Sequence, residues 1–177
     1  MQRGLLCFNS ILATSLALAV GCMVPDDPKR VSAPKPKPPR TKEATEVRIY
    51  LESPTVEPGR TTSVSVYRDS PITVNLDQSP VFTPAHIAGA EVLATTEGPA
   101  LKIQLNQQGA ILLDTMSVAN RGSRIIIGAK WTEGRILGAP RLVRRISDGA
   151  IVFMPDATLE EMERIVRGVN NIASKNR

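Results

Sequence analysis

From residue 47 onward, apolar and polar positions follow two clear periods. Val47, Ile49 and Leu51 alternate with Arg48, Tyr50 and Glu52, the pattern of a half-buried strand. Glu57-Pro58-Gly59-Arg60 supplies turn chemistry, and Val64 and Val66 alternate with serines in a second strand. Ile72, Val74 and Leu76 predict a third. Thr83-Pro84 marks a short helix, with a hydroxyl at the cap and proline at the first helical position. Strands near 90–96 and 100–105 follow; in the second, Leu101, Ile103 and Leu105 face one way, Lys102 and Gln104 the other. The spacing of Leu112, Leu113, Met116 and Ala119 predicts a helix over about 107–120, stopped at Gly122. Ser123 to Trp131 contains three consecutive isoleucines, Ile125 to Ile127. A run apolar on both faces suits a central strand. Asp148-Gly149 predicts a hairpin between strands at about 141–146 and 150–154. The last element is a helix opened by the capping box Thr158-Leu159-Glu160-Glu161, with a stripe of Leu159, Met162, Val166, Val169 and Ile172. Strands, helix, strands and helix in this order predict an α+β fold: a mostly antiparallel sheet with two main helices packed on one face.

The first 45 residues obey neither period. Arg3 precedes an apolar run from Leu5 to Val20, shorter than the ~20 residues a spanning helix needs. A charged start, a short apolar stretch and a small-residue ending describe an export signal. Its end, Leu18-Ala19-Val20-Gly21-Cys22, resembles the bacterial lipoprotein box. The resemblance implies a signal peptide over 1–21, cleavage between Gly21 and Cys22, and Cys22 as first mature residue. It also implies a diacylglyceryl group on the Cys22 thiol and an N-acyl chain such as palmitate. Buried acyl chains contribute about 0.8 kcal/mol per methylene, so the expected partner is a membrane held through the lipid anchor. Apart from this covalent lipid, no cofactor is expected.

Residues 22–45 form a Pro/Lys-rich linker. Pro25, Pro28, Pro34, Pro36, Pro38 and Pro39 favour extended polyproline II, a semi-rigid spacer. At ~3.1 Å per residue, its reach is about 70 Å. The net charge of +5 comes mainly from this region, because residues 46–177 carry 15 Lys and Arg against 14 Asp and Glu. The basic balance therefore does not point to nucleic acid. The chain has one His and two Cys, and both Cys lie in the leader region. That excludes a disulfide framework or a Cys/His metal site in the globular part.

Within the globular part, Phe82-Thr83-Pro84-Ala85-His86-Ile87-Ala88-Gly89-Ala90-Glu91-Val92 and Leu101-Lys102-Ile103-Gln104-Leu105 with Gly109 form one set of segments. Asn120-Arg121-Gly122-Ser123-Arg124-Ile125-Ile126-Ile127, Ala139-Pro140 and Asp156-Ala157-Thr158-Leu159-Glu160-Glu161 form the next. In order and spacing they resemble the head subdomain of the first periplasmic (P1) domain of SecD and SecDF, accessory subunits of the bacterial Sec translocon. The resemblance implies a head-like domain over 80–177 with residues 46–79 as an added N-terminal strand layer. It departs from the family at Ala129-Lys130-Trp131-Thr132-Glu133-Gly134, a longer connection where the family has a tight Asp-Gly turn. In the translocase the head holds emerging preprotein while membrane helices harness the proton gradient. A head without those helices is not a motor, so the resemblance implies at most a binding module.

The residues leave little room for catalysis. His86 has no evident nucleophile partner, and Ser147-Asp148 lacks a nucleophile elbow. The candidate binding residues are Arg141, Arg144 and Arg145, a basic cluster on or beside a strand, and Trp131 at a strand end. Two function classes remain. One is a non-catalytic binding or adaptor lipoprotein of the bacterial envelope, facing the periplasm and contacting extended polypeptide or an envelope or Sec complex. The other is a structural envelope lipoprotein with no specific client. A hydrophobic groove beside an unpaired sheet edge would favour the first, and a uniformly charged surface the second.

Overall fold

A computed structural model describes residues 43–132 and 134–176. The leader, Gly21, Cys22 and the linker up to residue 42 lie outside the described residues. The described chain runs β1 (Glu46–Leu51), β2 (Thr61–Val66), β3 (Ile72–Asp77), a 3-10 turn (Pro84–His86), β4 (Ile87–Thr95), β5 (Gly98–Leu105), α1 (Gln107–Ala119), β6 (Ile125–Lys130), β7 (Gly134–Gly138), β8 (Ala150–Phe153) and α2 (Leu159–Ala173). The fold is α+β, and all strand pairings among the described residues are antiparallel.

The strands divide into three sheets rather than one: β1-β6-β7, β2-β3 and β4-β5-β8. The isoleucine run explains how the first of these is placed. Ile125 and Ile127 join Val47, Ile49 and Leu137 in the main core, whereas Ile126 turns to a second cluster with Val66, Val74 and Leu76 of the β2–β3 hairpin. β6 is thus buried on both faces, as its composition predicts, and lies between β1 and β7. The main core is completed by Leu101, Ile103 and Leu105 of β5, Ile151 and Phe153 of β8, and inward residues of both helices. Burying each such aliphatic side chain contributes about 1.5–3 kcal/mol.

Several local expectations are corrected. Residues 141–146 do not form a strand, apart from a single bridge between Arg141 and Arg124. The strand beside β6 is instead β7, and residues 141–146 run beside α1, where Ser117 Oγ accepts the Ile146 amide at 3.0 Å. Asp148-Gly149 therefore closes no hairpin; it delivers β8 to the outer edge of β5. β7 begins at Gly134, which stands opposite Lys130, so strand pairing takes up both ends of the connection expected over 129–134. Gly138 ends β7 where a Cβ would stand 3.0 Å from the Phe153 ring.

Both helix stripes are rotated from the expected ones. In α1 the buried residues are Gly109, Leu113, Met116 and Ser117, and Leu112 and Ala119 are exposed. In α2, Ile165 is buried with Met162, Gly168, Val169 and Ala173; Val166 and Ile172 are half-buried and Leu159 is exposed. The α2 capping box forms as read: Thr158 Oγ1 accepts the Glu161 amide at 3.3 Å and Glu161 Oε2 accepts the Thr158 amide at 2.9 Å.

Candidate functional site: the open edge of β8

Several strand edges among the described residues carry a plug. On β1, the Ile49 amide donates to the Phe82 carbonyl at 3.0 Å and its carbonyl accepts the Phe82 amide at 3.1 Å. On β7, the Leu137 carbonyl accepts the Asp156 amide at 2.7 Å. On β4, the side-chain amide of Asn170 acts as a single peptide unit. Its Oδ1 accepts the Ala90 amide at 2.9 Å and its Nδ2 donates to the Ala90 carbonyl at 3.0 Å.

β8 is different. The Leu105 amide donates to the Gly149 carbonyl at 2.9 Å, which sets the phase of the β5–β8 ladder. Opposed residues alternate between bonded and non-bonded pairs, so Ile151 and Phe153 turn their backbone groups to β5 and Ala150 and Val152 turn theirs outward. The Ala150 amide is held by Asp148 Oδ1 at 3.1 Å. The amide and carbonyl of Val152 have no partner among the described residues.

A groove of 330 Å³ runs along this edge. Ala150 and Val152 form one wall, and Val143, Arg144, Ile146 and Ser147 the other. Val152 is 50% exposed and Val143 66% exposed. All three sequence-predicted arginines line the groove, though from an irregular segment rather than a strand. Arg145 is tied to Asp114 of α1 by two bonds of 2.5 and 2.6 Å. Its guanidinium holds the Asp114 carboxyl below the usual carboxylate range. Arg141 donates to the Gly122 carbonyl at 3.1 Å, and Arg144 has no hydrogen-bond or ion-pair partner among the described residues. Neither pairs with a carboxylate among the described residues, so the groove is basic on one side and offers backbone groups on the other.

Trp131 is not part of this groove. It packs half-buried against the main core, with the Arg135 guanidinium 5.8 Å from its ring centroid. Arg135 in turn donates to the Asp156 carbonyl at 2.7 Å and to Glu161 at 3.1 Å. Arg68 grips the Asp156 carboxylate, 3.0 Å from Nε to Oδ1. The Thr158 amide holds the Glu161 carboxyl below its ordinary pKa against the opposing effect of burial, which is next in size, and Arg135 and Arg68 add smaller contributions to the lowering. This cluster ties the β2–β3 hairpin to the start of α2 and closes the β7 edge. Sequence reasoning found Trp131, Thr158 and Glu161 in it but not the pairing with Arg68 and Arg135, because those partners come from separate elements. His86 is engaged in the 3-10 turn, where its Nδ1 accepts the Thr83 amide at 3.2 Å. Among the described residues no helix is long and apolar enough to cross a membrane.

The chain matches no described protein family and no curated protein sequence. Its fold, however, is found in solved structures of SecDF. The chain is similar to the crystal structure of SecDF in a super-membrane-facing form, with TM-score 0.54 and 17% identity over 73% of this chain and 19% of that one. It is also similar to a structure of SecDF described as a membrane component that enhances protein export, with TM-score 0.51 and 18% identity over 73% of this chain and 64% of that one. The chain thus spans less than two thirds of either. The α+β fold is shared with SecDF, in keeping with the resemblance read from the sequence.

Proposed function

We propose that this protein is a lipid-anchored module of the bacterial envelope, acylated at Cys22, that holds extended polypeptide along the open edge of β8 in connection with Sec-type export. The observation that carries this reading is the outward-facing, unpartnered amide and carbonyl of Val152 beside a groove with exposed Val143. An extended chain lying there would exchange backbone hydrogen bonds with Val152 and set alternate side chains against Val143 and Ile146. Each such bond is worth about 0.5–1.5 kcal/mol net, so the hold is sequence-tolerant and weak, which suits a chain in transit. The shared fold with a membrane component that enhances protein export supports the link to secretion. The linker gives the module its reach from the membrane.

Proline at Val152 tests the edge. It removes only an outward-facing amide, which an edge strand tolerates, whereas proline at Ile151 removes a bond to β5. With a photoreactive amino acid at Ser147 in the full chain, polypeptide crosslinks should form in cells and be lost in Val152→Pro. Ile151→Pro should fail to fold. A folded Val152→Pro variant with undiminished crosslinks would reject strand addition. For the anchor, a fatty-acid probe should label the wild type and not Cys22→Ser.

A further inference from the structure

We propose that the exposed face of α1, together with the adjoining 141–145 segment, docks on the headgroup layer of an anionic phospholipid bilayer. The surface adjoins the β8 groove and shares Arg141, Val143 and Arg144 with it, but its centre is the outer side of α1, which does not line that groove. Ile111 is 64% exposed and Val118 59% exposed, and the two lie seven residues apart on one side of the helix. These residues lie on the side of α1 opposite Leu113 and Met116, which enter the core. Three contacts bring the 141–146 segment against the same helix and extend the patch to Val143: Arg145 with Asp114, the Ile146 amide with Ser117 Oγ, and Arg121 Nε with the Val143 carbonyl at 3.2 Å. Ile111, Val118 and Val143 thus lie on the same side of the domain. Exposed apolar surface of this kind marks a binding site more often than chance.

Charge identifies the occupant. The only charged residue of α1 is Asp114, and Arg145 neutralises it. Arg121, Arg141 and Arg144 rim the face, and none has a carboxylate partner among the described residues. Aliphatic side chains on a convex helix with arginines around them form an interfacial, amphipathic surface: the stems lie along the apolar patch and the guanidinium groups reach phosphates. The backbone of α1 is satisfied within the helix, so the face offers nothing to an added strand. A second copy is disfavoured, since two-fold pairing through this face would bring the arginine rims together. Docked this way, the domain would hold the neighbouring β8 groove at the membrane surface.

The test uses the full chain mixed with vesicles, with a photoreactive amino acid in place of Val118 or Val143, or in place of Val56, an exposed valine outside the patch. With vesicles containing anionic phospholipid, lipid adducts should form at Val118 and Val143 and be about five-fold fewer at Val56. Purely zwitterionic vesicles, or Arg144→Glu with the Val118 probe, should lower the yield by more than about five-fold, since the loss of one arginine near an anionic surface is worth about that factor and both changes remove more than one such interaction. Ile111→Glu should do the same, and as an exposed position it should leave the melting transition unchanged. Equal adducts at Val56 and Val118 would overturn the proposal. So would yields indifferent to lipid charge and to Arg144→Glu, or Val118 crosslinks that go to a second copy of the chain instead of lipid.

Discussion

The two outer strands of the β4-β5-β8 sheet meet the solvent in opposite ways. β4 is roofed by α2, and Asn170 copies a peptide group so closely that both backbone groups of Ala90 are satisfied. β8 is shorter and lies beside an irregular segment, and the backbone of Val152 is left without a partner among the described residues. The helices repeat the contrast. α2 buries one stripe and gives solvent Glu160, Glu163, Arg164 and Arg167, whereas α1 buries Leu113 and Met116 and exposes Ile111 and Val118 as well. An exposed edge strand invites pairing with other chains, and native proteins usually cover or charge it. Here one side is closed by side chains dedicated to the purpose, and the other combines an open edge with an apolar helix and arginines. One side supports the fold and the other is available for contact.

The strongest test of this division removes a support of the closed side. Ile165 is fully buried where α2 joins the main core, and a carboxylate there would be both desolvated and unpaired. Ile165→Asp should cost more than about 4 kcal/mol and abolish the cooperative melt. A smaller loss is expected at Gly168. A Cβ at this position would stand 2.8 Å from the Thr45 amide nitrogen, so α2 could not keep the entering chain against it. Gly168→Ala should cost about 1–3 kcal/mol by denaturant unfolding, as overpacking does. Wild-type stability in that variant would mean that residues 43–45 are free to leave the helix.

Next in size is the β4 plug. Asn170→Ala strips both hydrogen bonds from Ala90 at a position already near solvent, so the loss should be about 1 kcal/mol. The sharper readout is hydrogen exchange. The Ala90 amide should lose protection while the amides of Ile151 and Phe153, bonded to β5, keep theirs. If Asn170→Ala also attracts polypeptide crosslinks to β4, then an open edge by itself is sufficient for binding, and the groove residues at β8 add nothing.

How much of this could be read from the sequence depends on how local each cause is. β1, β3 and β5 were legible because a period of two runs through each, β6 because its isoleucine run is apolar on both faces, and the α2 cap because Thr158 and Glu161 are three residues apart. β7 was hidden: Gly134 and Gly138 bracket only three side chains, too few to show a period, and glycine reads as a connection. The predicted stripe of α1 included Leu112 because that helix is apolar on two sides, and periodicity then cannot choose which one is buried. Of the candidate site residues, the three arginines are brought to one groove by the fold. Trp131 goes to the core instead. Asn170 and Asp156 left no local signal, since the backbone and side chain they bind lie 80 and 88 residues away.

The smallest expected effect separates the two sides of α1. If its outer face exists for contact rather than for folding, charges placed there should leave stability alone. Ile111 and Val118 are more than half exposed and touch the interior little, so Ile111→Glu and Val118→Glu should each change stability by less than about 0.5 kcal/mol. Leu113, one position further round the helix from Leu112, is fully buried, and Leu113→Ala should cost about 2–5 kcal/mol. Denaturant melts of the three variants decide the matter. A Val118→Glu variant as unstable as Leu113→Ala would mean that a part of the chain outside the described residues packs on this face. The apolar surface of α1 would then belong to the core, and the contrast between its two sides would disappear.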